Sequence, residues 1–410
     1  MTLSTRPAFR VGHAAHSDWK TATEQALKAL GDWFQSDGLQ RDGWLGNEPH
    51  ANNAEGEATP GSLPPAVAAG TLGFMYLTDA FAPYAADMLT LVKARTGISD
   101  WVGSVGIGIV ATGTEYLDEP AVALMTCAFA PGSHTVFSGN ARPPKPGTRT
   151  PSGADAAWFA VVHADPSTPD IDELIRDMAG KVSSGFLAGG LSSARGATLQ
   201  IANQVVAGGI SGVMFASDVA TGTRLTQGCT PLPQRHVMTQ VERNILVTLD
   251  KRPALDVMLE DLGCDLKGLR GAARDTFIGL AVTGAEATGG AGDYLVRNLV
   301  GIDPANKLVA IGDMPEQGGT MMFCKRDANT ARGDLLKMIY DLKDDLTEPP
   351  KAALYHACIG RGPNMFGEQG AEMRLIREHL GDIPLVGFFA NGEIARDRLY
   401  GFTGVLTIFK

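Results

Sequence analysis

The sequence has no cluster of basic residues. Its 410 residues include 35 Lys and Arg against 45 Asp and Glu, which gives a formal net charge of −10 at neutral pH. A protein surface that binds nucleic acid needs a concentration of positive charge. The composition therefore excludes nucleic acid as the expected partner.

The sequence also lacks long apolar runs. None approaches the roughly 18 consecutive residues that a membrane-spanning helix needs, and the first ten residues lack the apolar core of a signal peptide. The five cysteines have no paired spacing, and their odd number fits reduced thiols. We expect a soluble, cytoplasmic protein without a membrane span.

Common phosphate-binding and hydrolase motifs are absent as well. The glycines at 103, 106 and 108 lack the dinucleotide-binding spacing, and no Gly-Lys-Ser/Thr sequence exists for a P-loop. Ser104 stands in Gly-Ser-Val-Gly, not in the Gly-x-Ser-x-Gly of a nucleophile elbow. Nucleotide binding and serine-hydrolase chemistry are therefore not expected.

Glycine, in contrast, is abundant, with 50 residues against a usual share of about 7%. The glycines recur in a pattern of strand, loop, helix and a second strand ending in glycine. This pattern occupies residues 72–106, 158–193 and 352–393, and a further apolar strand follows each copy. The recurrence predicts one supersecondary unit used three times, although any α/β chain yields some echoes of this kind.

The length of the chain exceeds one typical hydrophobic core, so we expect two domains. A change of composition near residues 218–240 predicts domains at 1–230 and 231–410. The expected class is α/β (α+β), with a mixed β-sheet and flanking helices in each domain. Because apolar strands outnumber helices, we expect the sheets to pack as a helix–sheet–sheet–helix sandwich.

The glycine-rich segments predict a ligand cleft. Such turns expose backbone N–H groups, and the carboxyl ends of strands form the usual crevice of an open α/β sheet. Nearby arginines can hold a carboxylate through two parallel hydrogen bonds. The alternative is that each glycine serves backbone geometry and each arginine is solvated, but the set as a whole favours a cleft. The predicted ligand-binding residues are Gly103, Ser104, Gly106, Gly190, Ser192, Ser193, Arg195, Arg224, Arg361, Asn391 and Glu393.

Histidine and cysteine residues offer weaker signals. His13 and His16 are three apart and would share one helical turn as metal ligands, or would instead serve a turn or helix start. A haem group needs one axial histidine, for which His13, His16, His163 and His356 qualify equally. His356 and Cys358 lie on one side of a predicted strand, as a nucleophile and base or, more simply, as packed residues. We expect no metal and no catalytic residue.

Several short motifs, taken in order, resemble a known family. Gly12-His-Ala-Ala-His16, Gly103-Ser-Val-Gly106 and Gly189-Gly-Leu-Ser-Ser193 resemble the amino-terminal FIST domain (F-box and intracellular signal transduction). Four later motifs resemble the carboxy-terminal FIST domain, and the resemblance covers about residues 9–409. They are Gly228-Cys-Thr-Pro231, Pro253-Ala-Leu255, Cys358-Ile-Gly-Arg-Gly362 and Gly387-Phe-Phe-Ala-Asn-Gly-Glu-Ile394.

The resemblance implies an intracellular sensory module that takes up a small ligand, with amino acids among those proposed. FIST domains are often joined to output domains, so we expect this chain to signal through a separate partner such as a kinase or chemoreceptor. Some FIST proteins contain haem and sense nitric oxide, which makes a haem gas sensor the alternative. An enzyme that uses Cys358 or Ser104 is the third possibility, and no cofactor other than haem is expected.

Overall fold

A computed structural model describes residues 9–41, 71–282 and 294–410. Within these ranges, none of the helices has both the length and the apolar composition that a membrane crossing requires. The segment 35–65 is polar and rich in Gly, Asn, Glu and Pro, which predicts a loop, and it lies mostly outside the described residues. Its first part, residues 35–41, instead continues the first helix.

The first of three similar units opens with a strand and a helix. Asp18 caps the helix, because its carboxylate accepts a hydrogen bond of 2.8 Å from the backbone N–H of Thr21. A parallel strand pair, a hairpin and a return strand follow. The elements are β1 (Phe9–Ala15), α1 (Trp19–Arg41), β2 (Leu72–Thr78), a 3₁₀-helix (Asp79–Tyr84), α2 (Ala85–Thr96), β3 (Asp100–Gly106), β4 (Gly108–Ala111), β5 (Thr114–Leu117) and β6 (Ala121–Cys127).

The second unit repeats this order with a loop in place of the first helix. Its helix is amphipathic, and Ile175 and Met178 on one face are buried against the sheet. The helix and the return strand agree with the sequence prediction. The elements are β7 (His134–Phe137), β8 (Phe159–Ala164), α3 (Ile171–Ala179), β9 (Phe186–Leu191), β10 (Leu199–Ala202), β11 (Val205–Ala207) and β12 (Ile210–Phe215).

The third unit begins with one strand and is then interrupted by a β-barrel. The sequence at 241–249 predicts a single strand, but these residues are part of a hairpin, which turns at Arg243 with a φ of +57°. The elements are β13 (Thr221–Gln227), β14 (Cys229–Pro231), β15 (His236–Glu242), β16 (Ile245–Leu249), β17 (Arg252–Pro253), α4 (Ala254–Leu262), α5 (Leu269–Ala272), a 3₁₀-helix (Ala273–Asp275), β18 (Thr276–Ala281), β19 (Tyr294–Asp303), β20 (Leu308–Ile311) and β21 (Thr320–Arg326).

The barrel closes because its strands pair in a ring. In the described residues, the order is β21–β15–β16–β20–β19–β18, and β18 pairs again with β21. The third unit then resumes in the same order as the first two. Its remaining elements are α6 (Ala328–Asp344), β22 (Ala352–Cys358), α7 (Pro363–Phe366), α8 (Ala371–Leu380), β23 (Leu385–Ala390), β24 (Glu393–Ala395), β25 (Arg398–Tyr400) and β26 (Thr403–Phe409).

Each unit builds a sheet with the same strand order. Across the described residues, the sheets read β1–β6–β2–β3–β10–β11, β7–β12–β8–β9–β24–β25 and β13–β26–β22–β23–β4–β5. The hairpin at the end of each sheet comes from a different unit. The second unit completes the first sheet, the third completes the second, and the first completes the third. The three units therefore exchange hairpins around a closed cycle.

The three sheets share one hydrophobic core. Phe74, Phe215 and Phe388 point into it from the three sheets, and all are fully buried. Helices cover the opposite faces, with α1 and α2 on the first sheet, α3 on the second, and α6 and α8 on the third. The three units thus surround a common axis, and their helices lie on the outside.

The mixed α/β class and the threefold recurrence of the unit agree with the sequence analysis. The predicted sandwich has two packed sheets, whereas three sheets pack face to face around the shared core. The domain boundary between residues 230 and 231 stays a prediction. The hydrogen-bonded sheets extend across it, since β13 pairs with β26 and β4 pairs with β23.

Candidate functional site

The parallel strand pairs place the predicted site residues at equivalent positions in the three units. Gly103, Gly189 and Gly387 occupy the same register, where a Cβ atom would lie 1.8 Å or less from a carbonyl oxygen of the neighbouring strand. Glycine is needed there for close strand packing. Gly103 and Gly106 lie within β3, and Gly190 lies within β9. The prediction that these glycines form turns is therefore wrong.

The predicted serines do come together, but they bond to protein atoms. The Ser104 and Ser192 hydroxyls are 2.7 Å apart, and both side chains are fully buried. The Ser193 hydroxyl donates to the carbonyl oxygen of Phe389 and accepts from the backbone N–H of Ile107 at 3.0 Å. These hydroxyls join the three units to one another where strands β3, β9 and β23 end.

Asn391 and two of the predicted arginines lie elsewhere on the surface. The Asn391 side chain is exposed, while its backbone N–H donates to Leu191 at 3.0 Å. Arg195 is about half exposed and pairs with Asp79 and Asp118. Arg224, on β13, pairs with Asp345 at 2.7 Å. The structure does not bring Arg195 or Arg224 to the position of Arg361.

Three polar side chains from the three units meet on the axis. The Tyr76 hydroxyl lies 3.1 Å from Nε2 of His163 and 3.2 Å from Nε2 of His356, and all three residues are fully buried. Burial lowers the pKa of both histidines, that of His356 to about 3. These neutral rings already use Nε2, while their Nδ1 atoms have no hydrogen-bond partner among the described residues.

His13 and His16 do not share a helical turn. His13 lies in β1 and its Nδ1 is 2.6 Å from the Tyr116 hydroxyl, whereas His16 accepts a hydrogen bond of 3.0 Å from the backbone N–H of Asp18. In the described ranges, no group of three or more His, Cys, Asp or Glu residues is arranged to hold a metal ion. The pair therefore lacks the helical arrangement that a shared metal would need, and His16 instead serves the turn before α1.

Arg361 is the centre of a buried charged cluster, which we call the Arg361 cluster (Glu115, Cys358, Arg361, Glu372 and Glu393). The guanidinium is fully buried in the loop after β22. Its Nε and Nη2 donate to Oε1 of Glu372 at 2.8 and 2.6 Å, and the Tyr355 hydroxyl donates to the same oxygen. Nη1 has no hydrogen-bond partner among the described residues.

Glu393 is a second fully buried ionisable residue in this cluster. Oε2 accepts from the backbone N–H and the hydroxyl of Thr403 at 3.1 and 2.7 Å. Oε1 has no partner within the described part of the chain. Burial raises the pKa of Glu393 to about 8, although Thr403 and Arg361 favour its charged form. Oε1 of Glu393, an acceptor, and Nη1 of Arg361, a donor, therefore both lack a described partner in the same cluster.

Glu115 reaches the cluster from the first unit, on the hairpin that completes the third sheet. Its side chain is buried beside the start of α8, where Oε1 lies 3.4 Å from the backbone N–H of Met373. Its Oε2 has no partner among the residues that the structure describes. Burial raises the pKa of Glu115 to about 7, and repulsion by Glu372 adds to the shift.

Cys358 ends β22 and forms part of the rim of the cluster. It is partly exposed, and its Sγ accepts a hydrogen bond of 3.4 Å from the backbone N–H of Gly360. Burial and the nearby Glu393 carboxylate raise the pKa of the thiol well above its usual value. A nucleophilic cysteine needs the opposite shift. Although His356 is two residues away, its Nε2 contacts Tyr76.

The segment between β13 and β14 closes another side of the cluster. A Cβ atom on Gly228 would lie 2.6 Å from the carbonyl oxygen of Phe402, so glycine is needed for this close approach, and it would lie 3.6 Å from Nη1 of Arg361, an ordinary contact distance. The adjacent Gln227 is buried, and its Oε1 has no partner within the described ranges. Residues of the two motifs around Gly228 and Arg361 therefore meet at one place.

The other two units show what the fold requires at these positions. In the strand pairings, Glu393 lies opposite Gly190, Gln200 opposite Ser104, and Ile109 opposite Phe388, which are equivalent positions. The side-chain amide oxygen of Gln200 accepts a hydrogen bond of 2.5 Å from the Ser211 hydroxyl. Ile109 is apolar, so its side chain needs no hydrogen-bond partner. Among the described residues, a buried acid with an unpartnered oxygen therefore occupies this particular position in the third unit alone.

Sequence analysis found Arg361 and Glu393 but missed Glu115, Glu372 and Gln227. Glu372 had a usable signal, because it stands in the first turn of the predicted helix that follows Arg361. Glu115 had no such signal, because its hairpin pairs with β23, which lies more than 230 residues later in the chain. Gln227 precedes Gly228, which was recognised as part of a motif.

Comparison with known proteins finds the two domains in the predicted order, although the motif at residues 228–231 falls in the amino-terminal match and the motif at residues 12–16 lies before it. A model of the FIST N domain matches residues 71–252, and a model of the FIST C domain matches residues 254–396. An uncharacterized protein of Mycobacterium tuberculosis (strain H37Rv) is 32% identical over 347 residues, which cover 79% of this chain and 87% of the relative.

A second relative, an uncharacterized protein of Mycobacterium bovis (strain AF2122/97), is 31% identical over 347 residues and covers 79% of this chain and 86% of its own. FIST domains are sensory domains of signal transduction. The FIST C match ends at residue 396, so it includes Arg361, Glu372 and Glu393 of the Arg361 cluster. The chain belongs to the FIST family and carries a FIST N domain followed by a FIST C domain.

Proposed function

We propose that this protein is a cytoplasmic sensor that binds an amino acid or another small carboxylate at the Arg361 cluster. The observation that carries the proposal is the free Nη1 of the fully buried Arg361. A buried charged donor without a partner is unfavourable unless something fills its place. A ligand carboxylate is a strong acceptor for such a guanidinium N–H.

The neighbouring Glu393 supports this assignment. Its Oε1 is also buried without a partner in the described residues, and it interacts electrostatically with Arg361. The free oxygen accepts a hydrogen bond from a ligand ammonium or, when protonated, donates one to a carboxylate. Both atoms lie beyond the carboxyl ends of β22 and β23, which is the usual binding position in α/β sheets.

Signal output in this proposal passes to a separate partner protein such as a kinase or chemoreceptor. Glu115 gives the third unit a direct contact with the hairpin of the first, because it lies against the loop and helix that hold Arg361 and Glu372. A ligand that changes the position of Arg361 therefore acts on side chains from both FIST domains. The partner would respond to that change.

A ligand screen tests the proposal. Thermal-shift and calorimetric titrations with the common amino acids and with acetate should detect at least one ligand that stabilises the protein. Arg361→Lys keeps the charge beside Glu372 but lacks the guanidinium fork, so ligand affinity should fall at least tenfold. Arg224→Lys is the matched control, because Arg224 is exposed and pairs with Asp345.

Two results would count against this function. One is the absence of stabilisation or heat with every member of the panel. The other is a ligand whose affinity is the same in the wild type and in Arg361→Lys, since such a ligand would bind elsewhere.

A further inference from the structure

We infer that the Arg361 cluster takes up one proton from solvent together with its carboxylate ligand, and that Glu393 receives this proton on Oε1. The inference rests on the proposed function. In the bound state, the new O–H of Glu393 donates to one ligand oxygen, and Nη1 of Arg361 donates to the other. No other bond forms or breaks.

The charges in the cluster supply the first argument. Glu115, Glu372 and Glu393 are buried carboxylates, and Arg361 is the buried cation beside them. Fully ionised, the four groups carry a net charge of −2, which a ligand carboxylate would increase to −3. Buried charge of one sign is strongly unfavourable in a low-dielectric environment. An anionic ligand is therefore expected to enter together with a proton.

Hydrogen bonding determines which carboxylate takes the proton. Oε1 of Glu372 already accepts hydrogen bonds from Arg361 and Tyr355, so this oxygen is occupied. Glu115 lies at the start of α8, where backbone N–H groups favour a negative charge. Glu115 and Glu393 each keep one oxygen without a hydrogen-bond partner among the described residues, but it is Glu393 that interacts electrostatically with Arg361, the group that would hold the ligand. The pKa of about 8 for Glu393 agrees with this choice.

At mildly alkaline pH, the residues around Glu393 do not compete with it for a proton. Arg361 is cationic, and burial keeps the Cys358 thiol protonated and the His163 ring neutral. The cross-strand partner of Glu393 is Tyr400, and Thr403 follows the hairpin. Some titratable or charged residues face Glu393 directly, and others are separated from it by one intervening residue. Together they are Glu115, His163, Cys358, Arg361, Glu372 and Tyr400.

Calorimetry with acetate as the probe tests the inference. Titrations at pH 9 in two buffers with different ionisation enthalpies give the number of protons taken up. We expect uptake close to one proton in the wild type, with acetate affinity falling about tenfold per pH unit above the pKa of Glu393. Glu393→Gln should show uptake close to zero at pH 9. Glu378→Gln, an exposed change on α8, should retain the wild-type uptake.

The possible outcomes are distinct. Acetate binding without proton uptake at pH 9, or wild-type uptake in Glu393→Gln, overturns the inference and leaves the proposed function intact. No binding of acetate to the wild type at pH 6.5 counts against both. If Glu393→Gln binds no acetate, infrared spectra decide. A protonated-carboxyl band that appears when acetate is added to the wild type at pH 9 supports the inference, and its absence overturns it.

Discussion

At the residue scale, the three units serve as internal controls for one another. Gln200 and Ile109 occupy the positions that correspond to Glu393, and neither leaves a buried oxygen without a partner. A buried carboxylate is therefore not required to build the sheet. The third unit keeps a destabilising group at this place, as binding sites often do.

Glu393 should make the stability of the protein depend on pH. Its pKa in the folded state, about 8, lies above the usual 4.5, so the folded state binds more protons than the unfolded state between these values. The wild type therefore loses stability as pH rises through this window. The free energy of unfolding of Glu393→Gln, relative to the wild type, should increase by about 1.4 kcal/mol per pH unit there.

Denaturant unfolding at pH 5 and pH 8.5 measures this difference. Glu378→Gln, on the exposed face of α8, is the control and should show no such trend. A constant stability difference between Glu393→Gln and the wild type at the two pH values would show that Glu393 titrates normally.

The pair of Arg361 and Glu372 should behave as a buried ion pair. Arg361→Met leaves the Glu372 carboxylate buried without its cation, so the free energy of unfolding should fall by about 3–5 kcal/mol. The double variant Arg361→Met with Glu372→Gln should recover much of this loss, because no charge is left unpaired. Urea unfolding of the two single variants and the double variant provides the measurement.

The exposed pair Arg252–Glu260 is the matched control for this cycle. Its side chains are more than half exposed, and Arg252→Met should leave the stability almost unchanged. If the double variant of the buried pair is no more stable than Arg361→Met, the loss arises from packing and not from an unpaired charge.

At the scale of the elements, sequence periodicity predicted the strands that are buried on both faces. The segments at 210–215, 352–358 and 385–390 consist mainly of apolar residues and glycine, and all three are strands. The short hairpins were harder to predict. Strands of three or four residues, such as β10–β11 and β24–β25, carry too few alternating positions to be distinguished from turns. β1 was not predicted, because its histidines were considered only as a metal pair on a helical turn or as part of a turn or helix start.

Gly387 should be essential for the β22–β23 pair. In Gly387→Ala, the new methyl group would lie 1.7 Å from the carbonyl oxygen of Tyr355, so the strands would have to separate. We expect a loss of several kcal/mol in the free energy of unfolding, or no folded protein, as for other severe core overpacking. Thermal unfolding followed by circular dichroism measures the effect.

Gly333→Ala is the control for this substitution. Gly333 lies within α6 with open space around it, and alanine favours helix by up to about 1 kcal/mol. This variant should be slightly more stable than the wild type. Equal stability of the two alanine variants would contradict the close-packing role of the recurrent glycine.

At the scale of the whole molecule, the exchange of hairpins was beyond the reach of sequence analysis. The strand pairings β3–β10, β9–β24 and β23–β4 link distant segments, and no local pattern identifies which sheet a hairpin joins. For the same reason, Glu115 could not be assigned to the site. The recurrence of the unit was visible because it depends on residues that are close in the chain.

A fragment of residues 1–230 tests the consequence of this exchange. Without the third unit, β9 loses its neighbour β24, and β4–β5 loses the sheet that it completes. Exposed strand edges and the uncovered axial core should leave the fragment aggregated or only partly folded. Hydrogen exchange should show little protection of β9 in the fragment. A monomeric fragment with the protection of the full chain would support an independent domain at 1–230.

A crystal structure of the protein grown with acetate, or with the best ligand of the screen, would show directly whether Arg361 binds a small carboxylate. We expect ligand density within hydrogen-bond distance of Nη1 of Arg361 and Oε1 of Glu393. A ligand bound elsewhere, with Nη1 of Arg361 satisfied by protein atoms, would contradict it.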